Sequence, residues 1–222
     1  GGRVLYEGLA DVAAQHGYSV TVLLTNSVLH GAAQFRERFH FIAHRRKLTF
    51  PEPQLTKPHT VRDAIGDIEF VALTEEEGAR YQPPLKNHTY RPAKPRYQCV
   101  IDDLKQGESW NDSSDRLRAQ GLDAARGRCI AHRIRYDAPS PTVLDPGALV
   151  HPTQPRTLTM REAARLCSYP DDFIFATNDK GCGCSTDVTQ AVLPVVGEYL
   201  ARRFTIALDD VALEPSLDIN VI

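Results

Sequence analysis

The chain is organised around the stretch HPTQPRTLTMREAARLCSYPDDFIF, which occupies residues 151–175. Within it, Thr159 precedes Glu162 by three positions, and Thr-x-x-Glu is the capping box that starts many helices. An apolar run interleaved with charged residues follows at helical spacing. The stretch therefore predicts a helix over residues 160–168, followed by a turn at residues 170–172.

Helical and strand patterns alternate on either side of this stretch. Apolar residues recur at helical spacing over residues 4–17, and the β-branched run YSVTVLL at 18–24 predicts a strand. The run FHFIA at 39–43 predicts a second strand, with residues 25–37 as a loop between the two. A last helix is predicted over residues 188–204. Helices mixed with strands in this way indicate an α/β protein.

Proline is concentrated in the middle of the chain. The region from Pro51 to Pro155 holds 12 of the 15 prolines, which predicts a loop-rich domain. Gly17 follows the first helix where a left-handed residue is expected, and the acidic tail after Asp209 is predicted to be peripheral.

Composition sets limits on the class of protein. The chain has 222 residues, a formal net charge of −2 and 42% hydrophobic residues, as expected for an ordinary globular protein. It is not basic overall, so any nucleic-acid binding must come from a local site. Five cysteines without disulfide-scaffold spacing favour a reducing compartment. No apolar run is long enough to span a bilayer, and no signal peptide is apparent, so a cytoplasmic location is expected.

One extended segment carries a candidate polar site. Gln34, Arg36 and Arg38 occupy alternate positions leading into the second predicted strand. Period-two spacing places all three on the same side of an extended chain. Two guanidinium groups on one face suit a phosphate or a base oxygen. The alternative is a solvated edge strand whose arginines pair with acidic residues.

A metal site is disfavoured. His40 and His44 are four residues apart in a strand and do not converge as they would on a helix. Cys182-Gly183-Cys184 lacks the second pair of ligands that zinc sites require. No metal is therefore expected.

The stretch at residues 151–175 resembles motif IX of the DNA cytosine C5-methyltransferases. The family signature there is Arg-x-Leu-Thr-x-Arg-Glu-x-Ala-Arg-Leu, followed by a Phe/Tyr-Pro-Asp turn. The segment from Asn26 to Arg38 is similar to motifs VII and VIII, which end in Gln-x-Arg-x-Arg. Two departures occur there: His30 replaces an aromatic residue, and Ala32-Ala33 replace an apolar-Pro pair.

Three shorter matches follow the family's order. The segment at 60–65 resembles the start of the variable region, and Pro139-Ser140-Pro141-Thr142-Val143 resembles a Pro-x-Pro-Thr segment of the target-recognition domain. Residues 188–194 resemble motif X, although Thr189 and Gln190 replace Gly-Asn and Leu193 replaces a proline.

Three motifs of the family are absent from this sequence. None of the five cysteines lies in the Pro-Cys-Gln context of the catalytic thiolate, and neither Glu-Asn-Val nor the Phe-x-Gly-x-Gly loop for S-adenosylmethionine occurs. In the family all three precede the helix that opens this chain. The resemblance therefore implies the C-terminal half of such an enzyme, with an N-terminal half or subunit that carries the three motifs. A naturally split enzyme, a piece of a longer protein and a degenerate copy remain open.

The resemblance also implies a fold and a division into parts. The expected fold is α/β: the C-terminal part of a Rossmann-like, S-adenosylmethionine-dependent methyltransferase fold plus a small irregular target-recognition domain. Residues 1–51 would end the catalytic domain, residues 52–150 would form the recognition domain, and residues 151–222 would return to the catalytic domain.

The implied roles follow the family's chemistry on a cytosine flipped out of double-stranded DNA. Arg38 would donate to cytosine O2, Arg36 would brace the catalytic loop of the other half, and Gln34 would hold the strand entry. Glu37 would form a structural ion pair. The other implied residues are the DNA-contacting set Thr142, Val143, Arg91 and Arg96, the S-adenosylmethionine-contacting pair Gln190 and Ala191, and the organising set His151, Arg156, Thr159, Arg161 and Glu162.

The leading interpretation is thus a DNA cytosine C5-methyltransferase part that is inactive alone, in a bacterial or phage-infected cell and of the kind found in restriction–modification systems. The alternative is a catalytically inactive DNA-binding remnant. The two arginines of the Gln-x-Arg-x-Arg segment favour the enzyme, because a protein that only binds DNA does not need a cytosine pocket.

Overall fold

A computed structural model describes residues 2–46, 48–53, 57–68, 72–80, 85–124, 132–176, 188, 190–207 and 217–221. The helices are α1 (Gly2–Gln15), α2 (Val61–Ile65), α3 (Glu75–Arg80), α4 (Pro95–Asp103), α5 (Trp110–Ala119), α6 (Met160–Leu166) and α7 (Pro194–Ala207). The strands are β1 (Ser19–Asn26), β2 (Glu37–His44), β3 (Leu73–Thr74), β4 (Thr89–Tyr90), β5 (His132–Arg133), β6 (Leu149–Val150) and β7 (Leu217–Val221). No helix within these ranges is long and apolar enough to cross a membrane.

A three-stranded sheet in the order β2-β1-β7 forms one end of the structure. β1 pairs with β2 antiparallel, from Ser19 opposite His44 to Asn26 opposite Glu37. α1 covers one face, where Ala10 packs with the apolar residues of β1. The predicted helix and both predicted strands are confirmed, and Gly17 adopts the predicted left-handed conformation with φ +75°.

The segment between β1 and β2 is shorter and more ordered than the predicted loop. β1 extends to Asn26, and a 3₁₀ helix occupies Ser27–His30. The Asn26 side chain caps this helix by accepting a hydrogen bond from the Val28 amide, and Gly31 ends it with φ 95°. The sequence pattern missed it because a single 3₁₀ turn has no apolar periodicity.

The prediction of a peripheral tail is wrong for its last residues. β7 pairs parallel with β1, with Val20 opposite Leu217 and Leu24 opposite Val221. Leu217-Asp218-Ile219-Asn220-Val221 alternates apolar and polar residues, which is a strand pattern. The acidic composition of the segment hid this alternation. Asp209, where the predicted tail begins, lies outside the described residues.

The helix predicted within residues 151–175 is present as α6 and ends slightly earlier than predicted. Thr159 is the N-cap of α6, and its side chain and that of Glu162 form the reciprocal capping box. α6 ends at Leu166 rather than residue 168, and Ser168 has a left-handed φ of 65°. The capping box therefore predicted the first residue of this helix correctly, whereas the sequence contained no equally specific signal for its last residue.

The helix predicted over residues 188–204 is interrupted: Val188 and Gln190 are helical, residues 191–193 are not, and α7 follows from Pro194. α7 starts at Pro194, because proline suits the first turn of a helix, where its missing N–H is not needed. Val192, predicted on the apolar stripe, is 50% exposed and precedes the helix, whereas Val196 is buried. α7 packs against the 3₁₀ helix, where the rings of His30 and Tyr199 have centroids 4.6 Å apart.

The largest core cluster joins all three predicted parts of the chain. It contains Ala33 after the first strand, Ile65 and Val143 from the middle region, and Leu166 and Val196 from the last part. A second cluster lies between α4 and α5. The domain boundaries at residues 51 and 150 stay predictions, and the shared core shows that the flanking parts are packed together.

A buried arginine holds the second cluster to the rest of the middle region. The main-chain carbonyls that accept from the Arg133 guanidinium include those of Ile101 at 2.6 Å, Leu104 at 2.8 Å and His151 at 2.6 Å. These three carbonyls belong to α4, the loop after it and the segment after β6. Arg133 thus connects three stretches of backbone.

Candidate functional site

Two segments distant in sequence meet beside the entry to β2. The Ser140 amide donates to the carbonyl of Ala33 at 2.8 Å, and the Phe35 amide donates to the carbonyl of Ser140 at 2.7 Å. The Thr142 hydroxyl donates to the carbonyl of Phe35 at 2.6 Å. The Pro-x-Pro-Thr segment therefore lies directly against the Gln-x-Arg-x-Arg segment.

Gln34 connects three parts of the structure. Its buried Oε1 accepts a hydrogen bond from the amide of Val143 at 3.0 Å, and its Nε2 donates to Cys167 Sγ at 2.7 Å. Its carbonyl accepts from the Ser27 hydroxyl at 2.6 Å. The side chain thus joins the strand entry to the Pro-x-Pro-Thr segment and to the end of α6.

Arg36 is buried, and two of its three guanidinium nitrogens lack acceptors among the described residues. The side chain is 2% exposed, and neither Nε nor Nη1 has a hydrogen-bond partner within the described ranges. Burial and the nearby charge of Arg38 lower the pKa of Arg36, while Cys167 and Tyr169 act in the opposite direction. A buried cation without acceptors is costly, so this position suits an acceptor supplied from outside the described residues.

Arg38 differs from the other two members of the set because it is exposed. Its Nη1 donates to the carbonyl of Glu37 at 2.7 Å. Gln34 and Arg36 are buried before the strand begins, whereas Arg38 belongs to β2 and reaches solvent. The alternation predicted for these three side chains therefore places two in the interior and one on the surface.

Cys167 was not identified from the sequence as part of this site. It is fully buried, and burial raises the pKa of its thiol to about 11. The thiol is therefore protonated near neutral pH and is unsuited to act as a nucleophile. Its contact with Gln34 had no sequence signal, because the two residues are 133 positions apart.

The organising set surrounds the capping box of α6. Arg156 donates two hydrogen bonds to the buried carboxylate of Glu162, at 2.8 and 2.6 Å. The Thr159 amide donates to the same carboxylate at 2.8 Å. His151 lies 3.5 Å from Glu162, and burial lowers the pKa of His151 to about 4. At neutral pH this ring is uncharged.

Arg161 connects α6 to two other segments. Its buried guanidinium donates to the carbonyls of Lys86 at 3.0 Å, Pro170 at 3.0 Å and Phe173 at 2.7 Å. These contacts give Arg161 a structural role at the junction between the middle region and the turn after α6.

Of the remaining predicted residues, Val143 is fully buried in the core, so its side chain is not available to DNA in this structure, whereas the other four lie at the surface. Arg91 forms an ion pair with Glu75 at 3.0 Å, and Arg96 stacks over the ring of Tyr97. Gln190 and Ala191 are exposed and precede α7. Their neighbour Thr189 lies outside the described residues.

The histidines considered as metal ligands are engaged with threonines instead. His40 is hydrogen-bonded to Thr25 at 2.9 Å, and His44 to Thr21 at 3.0 Å. Within the part of the chain that the structure describes, no three His, Cys, Asp or Glu residues are grouped to hold a metal ion. The segment Cys182-Gly183-Cys184 lies outside that part.

Comparisons with known proteins agree on one family. The model of the C-5 cytosine-specific DNA methylases matches residues 5–205. The type II methyltransferase M1.HphI of Haemophilus parahaemolyticus is 32% identical over 191 residues, which cover 84% of this chain and 48% of that protein. The type II methyltransferase M.MthTI of Methanothermobacter thermautotrophicus is 31% identical over 203 residues, covering 88% of this chain and 58% of that protein.

A solved structure shares the fold. A chain described as a DNA modification methyltransferase encoded within an E. coli prophage superposes with a TM-score of 0.66 at 18% identity, covering 88% of this chain and 62% of the other. The present chain thus spans about half the length of the curated relatives it matches.

Proposed function

Because the chain belongs to the C-5 cytosine-specific DNA methylase family, we propose that it is the C-terminal, DNA-recognising half of a DNA cytosine C5-methyltransferase. The other half, joined or separate, would carry Pro-Cys-Gln, Glu-Asn-Val and Phe-x-Gly-x-Gly, which this sequence lacks. On this proposal the chain alone has no methyltransferase activity, and the assembled enzyme acts on double-stranded DNA in the cytoplasm.

Two guanidinium nitrogens of Arg36 that have no acceptor among the described residues carry the proposal. Nε and Nη1 of Arg36 are buried and lack acceptors among the described residues. A catalytic loop from the other half, placed here, would supply main-chain carbonyls to both nitrogens. The cost of burying the charge would then be offset in the assembled enzyme.

Arg38 supplies the second element of the site. A cytosine must leave the duplex before its ring can be attacked. Addition of a thiolate from the other half to C6 raises the electron density at O2 and N3, and a fixed cationic donor near O2 stabilises that charge. Arg38 is exposed at the edge of the sheet, two residues after Arg36, so its guanidinium is available to a base that enters there.

Gln34 and Thr142 would align the two arginines with the DNA. The Thr142 hydroxyl donates to the carbonyl of Phe35, and the Val143 amide donates to the Gln34 side chain, so these bonds hold the Pro-x-Pro-Thr segment against residues 34 and 35. In the proposed enzyme, Thr142 faces the DNA backbone near the flipped nucleotide, the buried Val143 holds Thr142 in place from the core, and Arg91 and Arg96 contact phosphates further away. A shift of the recognition region on DNA would therefore move the segment that carries Arg36 and Arg38.

S-adenosylmethionine supplies the methyl group in this reaction. The exposed amide of Gln190 and the small side chain of Ala191 fit the rim of a pocket for it, because both are open to a ligand before α7. A complete pocket requires the other half, which carries the loop for this cofactor. On this proposal, Gln190 would contact the cofactor at the rim of the pocket.

Substitution of Arg38 tests the proposal in the assembled enzyme. We expect Arg38→Ala to lower methyl incorporation into DNA by about 10²–10³-fold, the effect of removing one charge-stabilising donor, with DNA affinity within a few fold of wild type. The matched control is Arg202→Ala, another exposed arginine, which is paired with Glu198. Wild-type turnover of Arg38→Ala contradicts the assignment, and DNA binding by an assembly that never transfers methyl groups favours the inactive remnant.

A further inference from the structure

An open cavity of about 360 Å³ lies between α7 and the 3₁₀ helix that follows β1. Three segments distant in the sequence form its wall: His30 comes from the 3₁₀ helix, Pro53 from the segment after β2, and Tyr199 from α7. The Tyr199 hydroxyl donates to the carbonyl of Pro51 at 2.9 Å, which holds α7 to the segment after β2. The cavity is therefore formed by tertiary packing and not by a single loop.

Two side chains of this wall carry buried nitrogens that lack partners. Nε2 of His30 and Nε of Arg203 have no hydrogen-bond partner among the described residues. Burial lowers the pKa of His30, and the charge of His40 acts in the same direction, so the His30 ring is uncharged at neutral pH. A buried polar atom without a partner destabilises the folded chain, and an acceptor bound in the cavity would remove that penalty.

The cavity has a net positive charge that comes from Arg203. Its guanidinium lies 5.5 Å from the centre of the Tyr199 ring, so an aromatic face supports it. The lining residue Glu198 accepts instead from Arg202, at 3.1 Å from Nε and 2.5 Å from Nη2, and these two charges cancel. A single positive charge beside Glu198 favours a monoanion such as a carboxylate over a phosphate monoester, which carries nearly two negative charges.

Another part of the wall is apolar. It consists of Leu29, which is 40% exposed, together with Pro53 and Val195. Binding sites for small molecules combine such apolar surface with a few polar groups that fix the orientation of the ligand. The wall therefore suits a small molecule with one anionic end and an apolar body.

We propose that this cavity binds a small organic acid whose carboxylate accepts hydrogen bonds from Arg203 and from the ring of His30, and whose apolar body packs against the apolar part of the wall. Hydrogen bonds from a guanidinium to a carboxylate are among the strong ones in proteins. The bound acid would connect the 3₁₀ helix to α7. None of the residues assigned to methyl transfer takes part, so this site goes beyond the proposed function and does not depend on it.

Isothermal titration calorimetry tests the site on the protein as isolated from its source cells, with benzoate and butyrate as the probes. We expect one acid bound per chain, with a Kd below about 1 mM for the tighter of the two. Inorganic phosphate should bind at least tenfold more weakly, because it lacks an apolar body. Benzylamine, which has the opposite charge, should not bind. Failure of both acids to bind overturns the proposal.

Two variants locate the bound acid. Arg203→Met should weaken binding at least tenfold, because it removes the charged donor and keeps an unbranched side chain over the Tyr199 ring. His30→Phe should weaken it at least threefold, because phenylalanine keeps the ring contact with Tyr199 and lacks the ring nitrogen. The matched control is Arg45→Met, at an arginine that lies over the ring of Tyr18 and does not line this cavity; its binding should stay within twofold of wild type. Binding that survives Arg203→Met unchanged occurs elsewhere and overturns the proposal.

A crystal structure of the wild-type protein with the tighter acid decides the matter if a variant does not fold. The carboxylate of the acid should lie within hydrogen-bonding distance of Arg203 Nε. A side-chain carboxylate of the protein itself at that position would overturn the proposal, because the cavity would then hold part of the protein. Binding of the acid by a protein that transfers no methyl group would retain this site and refute the proposed function, whereas methyl transfer without acid binding would refute this site alone.

Discussion

Replacing Glu162 with glutamine should destabilise the protein strongly, because it breaks a buried ion pair without changing its shape. The carboxylate is fully buried and accepts two hydrogen bonds from Arg156 and one from the amide of Thr159. The amide of glutamine would keep one acceptor and turn an NH₂ group toward the guanidinium. Arg156, which is 7% exposed, would keep its charge and lose the carboxylate to which it donates two hydrogen bonds.

The magnitude follows from the burial of both partners. Removing one partner of a buried pair costs about 3–5 kcal/mol, and the retained acceptor places Glu162→Gln near the lower end, at about 3 kcal/mol. With a urea dependence of about 2 kcal/mol/M, the midpoint of unfolding should fall by about 1.5 M. This is a large part of the roughly 5–15 kcal/mol that stabilises a typical domain.

Urea unfolding followed by circular dichroism measures this change. The control is Glu198→Gln, which breaks an exposed pair with Arg202 and should cost no more than about 1 kcal/mol. The double variant Arg156→Met with Glu162→Met should be more stable than Glu162→Gln alone, since it removes both buried charges. A midpoint for Glu162→Gln within about 0.3 M of wild type would refute the reasoning.

Three further substitutions or conditions give defined outcomes. Burial lowers the pKa of His151 from 6.5 to about 4, so below pH 6.5 the unfolded chain takes up a proton that the folded chain excludes. The free energy of unfolding should therefore be about 2 kcal/mol lower at pH 5 than at pH 7, and His151→Gln should lose that part of the pH dependence. Gln34→Leu leaves the buried Val143 amide without its acceptor and should cost about 1–3 kcal/mol in a urea titration, whereas a loss below about 0.5 kcal/mol would mean that the amide finds another partner. Gly17→Ala meets no steric obstacle but must adopt φ +75°, so a calorimetric loss of about 1–2 kcal/mol is expected, and an unchanged melting temperature would contradict it.

The sequence predicted the elements whose signals are local. The Thr159–Glu162 spacing located the start of α6, and the apolar periodicity located α1, β1 and β2. β7 was missed even though its five residues alternate, because the acidic residues around it indicated a surface tail. Strand pairing between β1 and β7 depends on residues about 200 positions apart, and no local pattern contains that information.

In the candidate site, too, the residues could be predicted from local sequence signals, but their contacts could not. Gln34, Arg36 and Arg38 could be selected from their spacing and from the family resemblance. The sequence could not predict that Gln34 and Arg36 are buried while Arg38 is exposed. That difference depends on Ser140, Val143 and Cys167, which pack against the entry to β2. The contact between Gln34 and Cys167 joins two residues that only the folded chain brings together.

The two buried arginines Arg133 and Arg161 bear on how the proposed recognition of DNA could change during evolution. Arg133 and Arg161 donate to main-chain carbonyls, at Ile101, Leu104 and His151 for the first and at Lys86, Pro170 and Phe173 for the second. A carbonyl is present whatever side chain its residue carries. If the middle region reads DNA as proposed, substitutions that alter its base preference could therefore accumulate without loss of these hydrogen bonds, provided that the two arginines stay. New target sequences would then arise by changes at surface side chains, while the hydrogen bonds that support the backbone remain the same.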